Sequence, residues 1–280
     1  MPPASSSFTA LNVASDVVPE YMGSFMLAAP PNTDLWRKPP SRDTSTAPVL
    51  YTALRNPFIA AEVTVSADWE LEWDQGGLVI FAGAPPGQTT PTGTSSEAPN
   101  VISISLDNST PTPVPTSNTH HRRRSSNSRI PIPESGHQPP RPRSPPPAYI
   151  APAPASKWAK VGLEFCNNAC HATSVVANSE GADWSLTSLP AYHARRLDLR
   201  VKFERIGYAL WVWYEDEMLG WKKLREVTWF FWGVEDKAVR VGVYASRPAN
   251  FGASMFDRRN GGSNVGMRNL CVDFEGLEIF

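Results

Sequence analysis

The chain has 280 residues, with 26 lysine and arginine residues against 27 aspartate and glutamate residues, so its formal net charge at pH 7 is -1. Because this balance attracts neither phosphate nor anionic lipid overall, the composition argues against a general nucleic-acid-binding or membrane-surface protein. No apolar run reaches the roughly 18 residues that a membrane-spanning helix needs.

The start of the chain and the cysteines bear on compartment and metal content. The first nine residues show neither the basic nor the apolar region of a secretory signal. The three cysteines, Cys166, Cys170 and Cys271, are too few for a disulfide framework. Cys166 and Cys170 lie next to His171, but without the spacing of a zinc site. We therefore expect buried thiols in strands, no metal, no cofactor, and a location in the cytoplasm or in both cytoplasm and nucleus.

Alternation of apolar and polar residues with period two predicts the strands. Phe58–Val65 alternates, and Gly77–Ala82 is a nearly continuous apolar run, which is typical of a strand buried on both faces. Trp158–Phe165 places Lys160 and Glu164 opposite its apolar face. The other predicted strands are Leu197–Phe203, Tyr208–Tyr214, Trp221–Val227, Val239–Ala245 and Leu270–Phe280.

No segment shows a sustained helical stripe, so the sequence predicts an all-β chain with the short strands of a sandwich. In the last strand the apolar parity changes across Gly276, which indicates a bulge. We expect a flexible N-terminus over residues 1–19 and one sandwich domain over residues 20–280.

A proline-rich segment interrupts this domain. Residues 84–155 hold 17 of the 28 prolines, and few large apolar residues. Such a segment cannot bury enough surface to offset its ordering entropy, so residues 84–156 are predicted to form a disordered insert. Because the entropy of loop closure grows only logarithmically with length, the insert is expected to leave the fold intact.

Five short motifs occur in order along the predicted strands and loops. They are Asp34–Lys38 (DLWRK), Asp74–Leu78 (DQGGL), Lys160–Glu164 (KVGLE), Ser174–Val176 with Asp183–Ser185, and Val241–Ser246 (VGVYAS). Together they resemble the DUF1349 family, which includes the fungal "regulation of enolase" proteins. The resemblance covers roughly residues 20–83 and 157–280. The sequence departs from the family pattern in its long insert, where relatives usually have a short connection.

The resemblance implies a concanavalin A-like antiparallel β-sandwich, or jelly roll, with one concave sheet. For the fungal branch it implies a regulatory rather than an enzymatic role. Aromatic rings beside amide and carboxylate groups suit sugar rings and their hydroxyls, so motif residues on a concave sheet would form a ligand groove. The candidate ligand-binding residues are Trp36, Arg37, Asp74, Gln75, Lys160, Glu164, Asn178, Asp183 and Trp184. The alternative is structural: Lys160 and Glu164 pair across strands, and Trp184 caps the core.

Three acids at alternate positions, Glu70, Glu72 and Asp74, raise the possibility of glycoside hydrolysis. On a strand they would share one face, and glycosidases need two carboxyl groups roughly 5–9 Å apart. The segment also fits a solvated edge or a loop, and the resemblance carries over only Asp74. The sequence shows neither a nucleophile motif nor a phosphate-binding glycine loop, so we assign no catalytic residue.

The insert carries sequences that suit protein partners. Pro146, Pro147 and Tyr149 fit the P-P-x-Y ligand of WW domains. Ser125 and Ser144 lie in contexts resembling kinase sites. The alternative is a solvated linker without function, and no nucleic-acid contact is expected because the basic cluster lacks interleaved aromatic residues.

The sequence thus predicts a non-catalytic β-sandwich that binds a carbohydrate, another ligand or a protein partner. A scaffold that recruits WW-domain proteins and a glycoside hydrolase are the alternatives.

Overall fold

The structure is a computed structural model that describes residues 3–40, 42–88, 156–193, 196–234, 237–248 and 268–280. This part of the chain contains two 3-10 turns, Ser5–Ser7 and Ser15–Val17, and is otherwise built from strands and connections. The strands are β1 (Phe8–Leu11), β2 (Ser24–Ala29), β3 (Leu35–Lys38), β4 (Arg42–Ser45), β5 (Val49–Ala53), β6 (Ala60–Ala67), β7 (Gln75–Ala82), β8 (Lys157–Cys166), β9 (Ala169–Ala177), β10 (Ala182–Ser188), β11 (Asp198–Ile206), β12 (Ala209–Asp216), β13 (Gly220–Val227), β14 (Val239–Ser246) and β15 (Leu270–Ile279). The described part of the chain contains no helix that could span a lipid bilayer.

Two antiparallel sheets form the sandwich. A seven-stranded sheet has the order β1-β5-β14-β7-β8-β9-β10, and a six-stranded sheet has the order β13-β12-β11-β6-β15-β2. A separate hairpin pairs β3 with β4. The predicted all-β sandwich is therefore confirmed.

The core lies between the two sheets and follows the alternation read from the sequence. In β6 and β11, every second side chain points inward, because successive side chains of a strand face opposite sides. The inward set includes Ala61, Val63, Val65, Leu199, Val201 and Phe203. From the seven-stranded sheet it meets Leu78, Ile80, Ala159, Val161 and Leu163.

The seven-stranded sheet is also covered on its outer face. There Val79, Phe81, Trp158 and Tyr244 form a second apolar cluster with Leu35 at the start of the β3–β4 hairpin. Strands β7 and β8 are consequently buried on both faces, as the apolar run Gly77–Ala82 predicted for β7. This covered outer face is where the candidate site lies.

The eight predicted strands are all present, with ends that shift by a few residues. β6 begins at Ala60 rather than Phe58, so Ile59 precedes the strand and is 63% exposed instead of inward. The bulge at Gly276 is confirmed: the pairing of β15 with β6 shifts between Glu275 and Glu278, and Gly276 has a φ of 64°. Only glycine adopts this left-handed conformation without steric cost.

The sandwich begins earlier than the predicted residue 20. β1 pairs with β5, and Phe8 packs into the core. Its four residues, FTAL, are too few to show a periodic signal. Of the cysteines, Cys166 and Cys170 are buried as expected, whereas Cys271 is exposed because it points outward from β15.

Strands β7 and β8 flank the predicted insert, since β7 ends at Ala82 and β8 begins at Lys157. Residues 89–155 lie outside the described residues. So do the partner motif residues Pro146, Pro147 and Tyr149 and the phosphorylation candidates Ser125 and Ser144.

Candidate ligand-binding cleft

Arg37 holds the β3–β4 hairpin against the seven-stranded sheet. Its Nε and Nη2 donate to the two carboxylate oxygens of Asp43 at 2.7 and 2.9 Å. Its Nη1 donates to the carbonyl oxygens of Ser156 and Asn178, each at 2.8 Å. The side chain is buried, and charge-assisted bidentate bonds of this kind are strong and geometrically specific. Arg37 is therefore a clamp that fixes the hairpin, and with it one wall of the adjacent cleft.

The cleft beside this hairpin has a volume of about 370 Å³. Three tryptophans from separate parts of the chain line it: Trp36 from β3, Trp73 from the loop before β7, and Trp184 from the edge strand β10. The remaining lining residues are Asp34, Lys38, Gln75, Lys160, Glu164, Val175 and Pro248. The cleft thus combines aromatic surface with carboxylate, amide and ammonium groups.

Lys160 is buried, and its charge is balanced inside the protein. Its Nζ lies 3.2 Å from Oδ1 of Asp34 and 5.3 Å from the ring centroid of Tyr244. The hydroxyl of Tyr244 donates in turn to Oε1 of Gln75 at 3.3 Å. Burying an ammonium group is costly unless it is paired, so these contacts explain how β8 can carry a lysine at this position.

Glu164 is the other buried charged group of the cleft, with 1% of its surface exposed. Its Oε2 accepts hydrogen bonds from Oγ1 of Thr173 at 2.6 Å and from Nε1 of Trp184 at 3.1 Å. Burial raises the pKa of this carboxyl group, while the bond from Thr173 and the charge of Lys160 act in the opposite direction. Because both bonds use the same oxygen, Oε1 accepts no hydrogen bond from the described residues and can receive one from a ligand.

Trp73 adopts a backbone conformation that is rare for a bulky residue. Its φ is 68°, and its side chain is 47% exposed at the cleft. The conformation is held by its own N–H, which donates to the carbonyl of Phe165 at 2.7 Å, and by the carbonyl of Leu71, which accepts from the N–H of Asp74 at 2.9 Å. Strained backbone of this kind concentrates at binding sites, where it persists because surrounding contacts hold it.

The structure brings together five of the nine predicted ligand-binding residues: Trp36, Gln75, Lys160, Glu164 and Trp184. Arg37 and Asp74 lie in buried ion pairs instead. Asn178 and Asp183 line a different depression, of about 660 Å³, between the β9–β10 turn and the end of β13. Contrary to the structural alternative, Lys160 and Glu164 do not pair with each other. Lys160 pairs with Asp34, and Glu164 accepts hydrogen bonds from Thr173 and Trp184.

The three acids considered for hydrolysis do not share a site. Residues 68–74 form a loop rather than a strand. Asp74 is fully buried against Arg247, whereas Glu72 accepts from Sγ of Cys166 at 3.0 Å and from the N–H of Asn167. Glu70 is exposed and lies 3.8 Å from Arg247. The carboxylates of Asp74 and Glu72 thus have different partners, and Glu70 lies exposed near Arg247, so the three acids do not converge on one site.

Sequence reasoning missed four residues of the cleft region: Asp34, Trp73, Thr173 and Tyr244. Asp34 and Tyr244 belong to the DLWRK and VGVYAS motifs. The motifs therefore marked these segments, but they did not indicate which side chain of each would lie at the cleft. A separate aromatic pair, Trp211 with Trp213, lies on the outer face of the six-stranded sheet, with ring centroids 5.7 Å apart.

Comparisons with known proteins support the fold and show a likeness to one family. The model of the DUF1349 family, described as a protein of unknown function, matches residues 148–261. The uncharacterized protein AN7484 of Emericella nidulans is 27% identical over 232 residues, which cover 82% of this chain and 80% of the relative. A functionally unknown protein from Saccharomyces cerevisiae, solved by crystallography, has a TM-score of 0.57 at 16% identity and covers 99% of this chain and 98% of its own.

A xylan β-1,4-xylosidase from Bacillus halodurans resembles the chain more remotely. Its TM-score is 0.48 at 7% identity, and the likeness spans 98% of this chain but 37% of the enzyme, which is too distant to bear on activity.

Two stacked antiparallel sheets with a cleft on the outer face of one of them define a concanavalin A-like β-sandwich. The chain is similar to the DUF1349 family over residues 148–261, and the two unassigned proteins that it resembles come from fungi.

The raised pKa of Glu164 predicts how stability depends on pH. The native protein keeps a proton on this carboxyl group at pH values where the unfolded chain has released it, so stability falls as pH rises through that range. The contribution is fully present below the usual value of 4.5 and is lost as pH passes the raised pKa of the folded state. The variant Glu164→Gln lacks this dependence. We expect the unfolding free energy of the parent, relative to the variant, to decline as the pH rises above about 4.5 in urea titrations; a constant difference contradicts the assignment.

Proposed function

We propose that the protein binds a carbohydrate in the cleft lined by Trp36, Trp73 and Trp184, without catalysing its conversion. The single observation that carries the proposal is the placement of these three indoles around the polar groups of Lys160 and Glu164. Sugar rings present an apolar face and a rim of hydroxyls, so their recognition calls for aromatic surface and hydrogen-bonding groups side by side.

The polar groups are fixed before a ligand arrives. Glu164 is anchored through Oε2, which leaves Oε1 as an oriented acceptor, and Lys160 is held by Asp34. Ordered groups of this kind reduce the entropy that binding would otherwise cost. The volume of about 370 Å³ lies at the lower end of the range for small-ligand sites, which is roughly 300–1,000 Å³. A ligand of one or two sugar rings suits it best.

Binding without turnover is favoured by the dispersal of Glu70, Glu72 and Asp74 into separate structural contacts. Within the cleft, Asp34 accepts from Lys160 and from its neighbouring backbone N–H of Leu35 at 2.7 Å. These contacts give its carboxylate a positioning role toward Lys160.

The test is a glycan array probed with the full chain, followed by calorimetric titration of any sugar retained. Trp184→Ala is expected to weaken binding about tenfold or more, because it removes both a stacking surface and the hydrogen bond that orients Glu164. Trp232→Ala is the matched control, since Trp232 is 63% exposed and does not line the cleft. Flat responses across the array, or equal losses in both variants, would remove the carbohydrate proposal.

A further inference from the structure

A third depression is distinct from the cleft and shares no lining residue with it. Strand β14 begins there at Val239. The depression has a volume of about 470 Å³. Its described lining residues are Leu54, Arg55, Asn56, Pro57, Arg205, Phe231, Val234, Lys237, Ala238 and Val239.

Three of these residues are cationic and come from three separate segments. Arg55 lies in the connection from β5 to β6, Arg205 near the end of β11, and Lys237 just before β14. None of the described lining residues is acidic, and none of the three cations forms an ion pair with a described residue. Like charges brought together in this way repel one another, and an anion between them would relieve the repulsion.

Arg205 is held in place for such a role. Its backbone N–H donates to the carbonyl of Ile59 at 2.8 Å, and its Nε donates to the carbonyl of Gly207 at 2.9 Å. Its guanidinium carbon lies 4.5 Å from the ring centroid of Phe231, which is itself stacked on Phe58 at 6.0 Å. The two terminal nitrogens make no hydrogen bond to a described residue and remain for a ligand.

Part of the lining of the depression is apolar. Phe231 and Val234 are almost fully buried core residues, and Leu54 and Val239 extend the surface. The backbone around it is tied together, because the N–H of Leu54 donates to the carbonyl of Val239 at 2.9 Å and that of Lys237 to Val234 at 3.0 Å. A ligand with an anionic head and an apolar body would therefore meet both cationic and apolar side chains.

We propose that this depression binds a phosphate monoester that carries an apolar or aromatic body, with Arg55, Arg205 and Lys237 contacting the phosphate. A guanidinium fork matches two oxygens of a phosphate, and an ammonium group adds a point charge. The site is independent of the carbohydrate cleft. Glu235 and Asp236, which precede Lys237 in sequence, lie outside the described residues. The experiment below therefore includes a variant in which both are neutralised.

The experiment titrates the full chain with phenyl phosphate and with inorganic phosphate by calorimetry at low ionic strength. Phenyl phosphate is expected to bind at one site and more tightly than inorganic phosphate, because only the former has a ring that can contact the apolar lining residues. Arg55→Gln should weaken binding about tenfold. This side chain is exposed and forms no hydrogen bond to a described residue, so folding is expected to survive, which a melting curve verifies.

Two further variants make the outcome decisive. Arg42→Gln removes an exposed arginine of β4 that does not line the depression, and its affinity should equal that of the parent. The double variant Glu235→Gln/Asp236→Asn should bind as tightly as the parent or more tightly, since it removes only negative charge. Absence of phenyl phosphate binding, or equal weakening by Arg55→Gln and Arg42→Gln, overturns the proposal. The carbohydrate proposal is unaffected by either result.

Discussion

Replacing Asp74 with alanine is expected to lower the free energy of unfolding by about 3–5 kcal/mol, because it leaves the buried charge of Arg247 without its partner. The two carboxylate oxygens of Asp74 accept from Nε and Nη2 of Arg247 at 2.8 and 2.7 Å. Both side chains are almost completely buried. Asp74 Oδ2 also accepts from the N–H of Leu71 at 2.9 Å, so the substitution frees a backbone donor as well.

The control for this prediction is Glu70→Ala. Glu70 lies 3.8 Å from the same guanidinium but is 44% exposed at its side chain, and exposed ion pairs contribute about 0–1 kcal/mol. Chemical denaturation measures both variants. Combining Asp74→Ala with Arg247→Met should recover part of the loss, since the uncompensated charge is removed. Similar effects of Asp74→Ala and Glu70→Ala would show that Arg247 does not depend on the buried carboxylate.

Gly162→Ala is expected to destabilise the protein by about 3–5 kcal/mol, or to prevent folding, because β7 and β8 approach too closely for a side chain. Gly162 pairs with Gly77 across the two strands. A methyl group on Gly162 would lie 1.8 Å from the carbonyl oxygen of Gly76, which is backbone and cannot swing away. The strands would have to separate, and β8 would carry Lys160 and Glu164 out of the cleft geometry.

Gly181→Ala is the matched substitution outside this pair. A methyl group there would meet only side-chain atoms of Pro39, at 3.5 and 3.6 Å, which is ordinary van der Waals contact. Its effect on the unfolding free energy is expected to stay within about 1 kcal/mol. Thermal and urea unfolding compare the two variants. A parent-like melting temperature for Gly162→Ala would show that the sheet can accommodate the methyl group.

How much of the fold the sequence predicts depends on which faces of a strand are buried. The alternation of apolar and polar residues can be detected in β6, β8, β11 and β12. In these strands one face meets the core, and the other is more polar or contains charged residues. β5 was missed because four of its five residues are buried, which removes the period-two signal. β4 was missed for the opposite reason, since its sequence RDTS is polar and largely exposed.

The candidate site was predicted only in part, because residue type does not distinguish a ligand contact from a buried ion pair. Asp74 and Arg247 are 173 positions apart in sequence, so nothing local shows that one neutralises the other. The same holds for Arg37, which reaches Asn178 across 141 positions. Lys160 and Glu164 were found because their charges interrupt an apolar strand, an anomaly that is visible in the sequence itself.

The glycines give the DQGGL and KVGLE motifs a structural meaning beyond the cleft. Gly76 and Gly77 of the first motif face Leu163 and Gly162 of the second. The residues of these motifs therefore meet two requirements. The glycines allow the strands to approach closely, and the polar residues line the cleft. A sequence pattern alone cannot separate these two contributions, but the substitutions above can.

Strand β8 is buried on both sides, with an apolar row toward the sandwich interior and Lys160 and Glu164 on the other. A slip of one residue in its pairing would exchange the two rows and drive both charged groups into the hydrocarbon interior. The side chains that would recognise a ligand therefore also destabilise a misaligned pairing of this sheet. Substitutions in β8 are thus restricted by correct strand pairing as well as by ligand recognition.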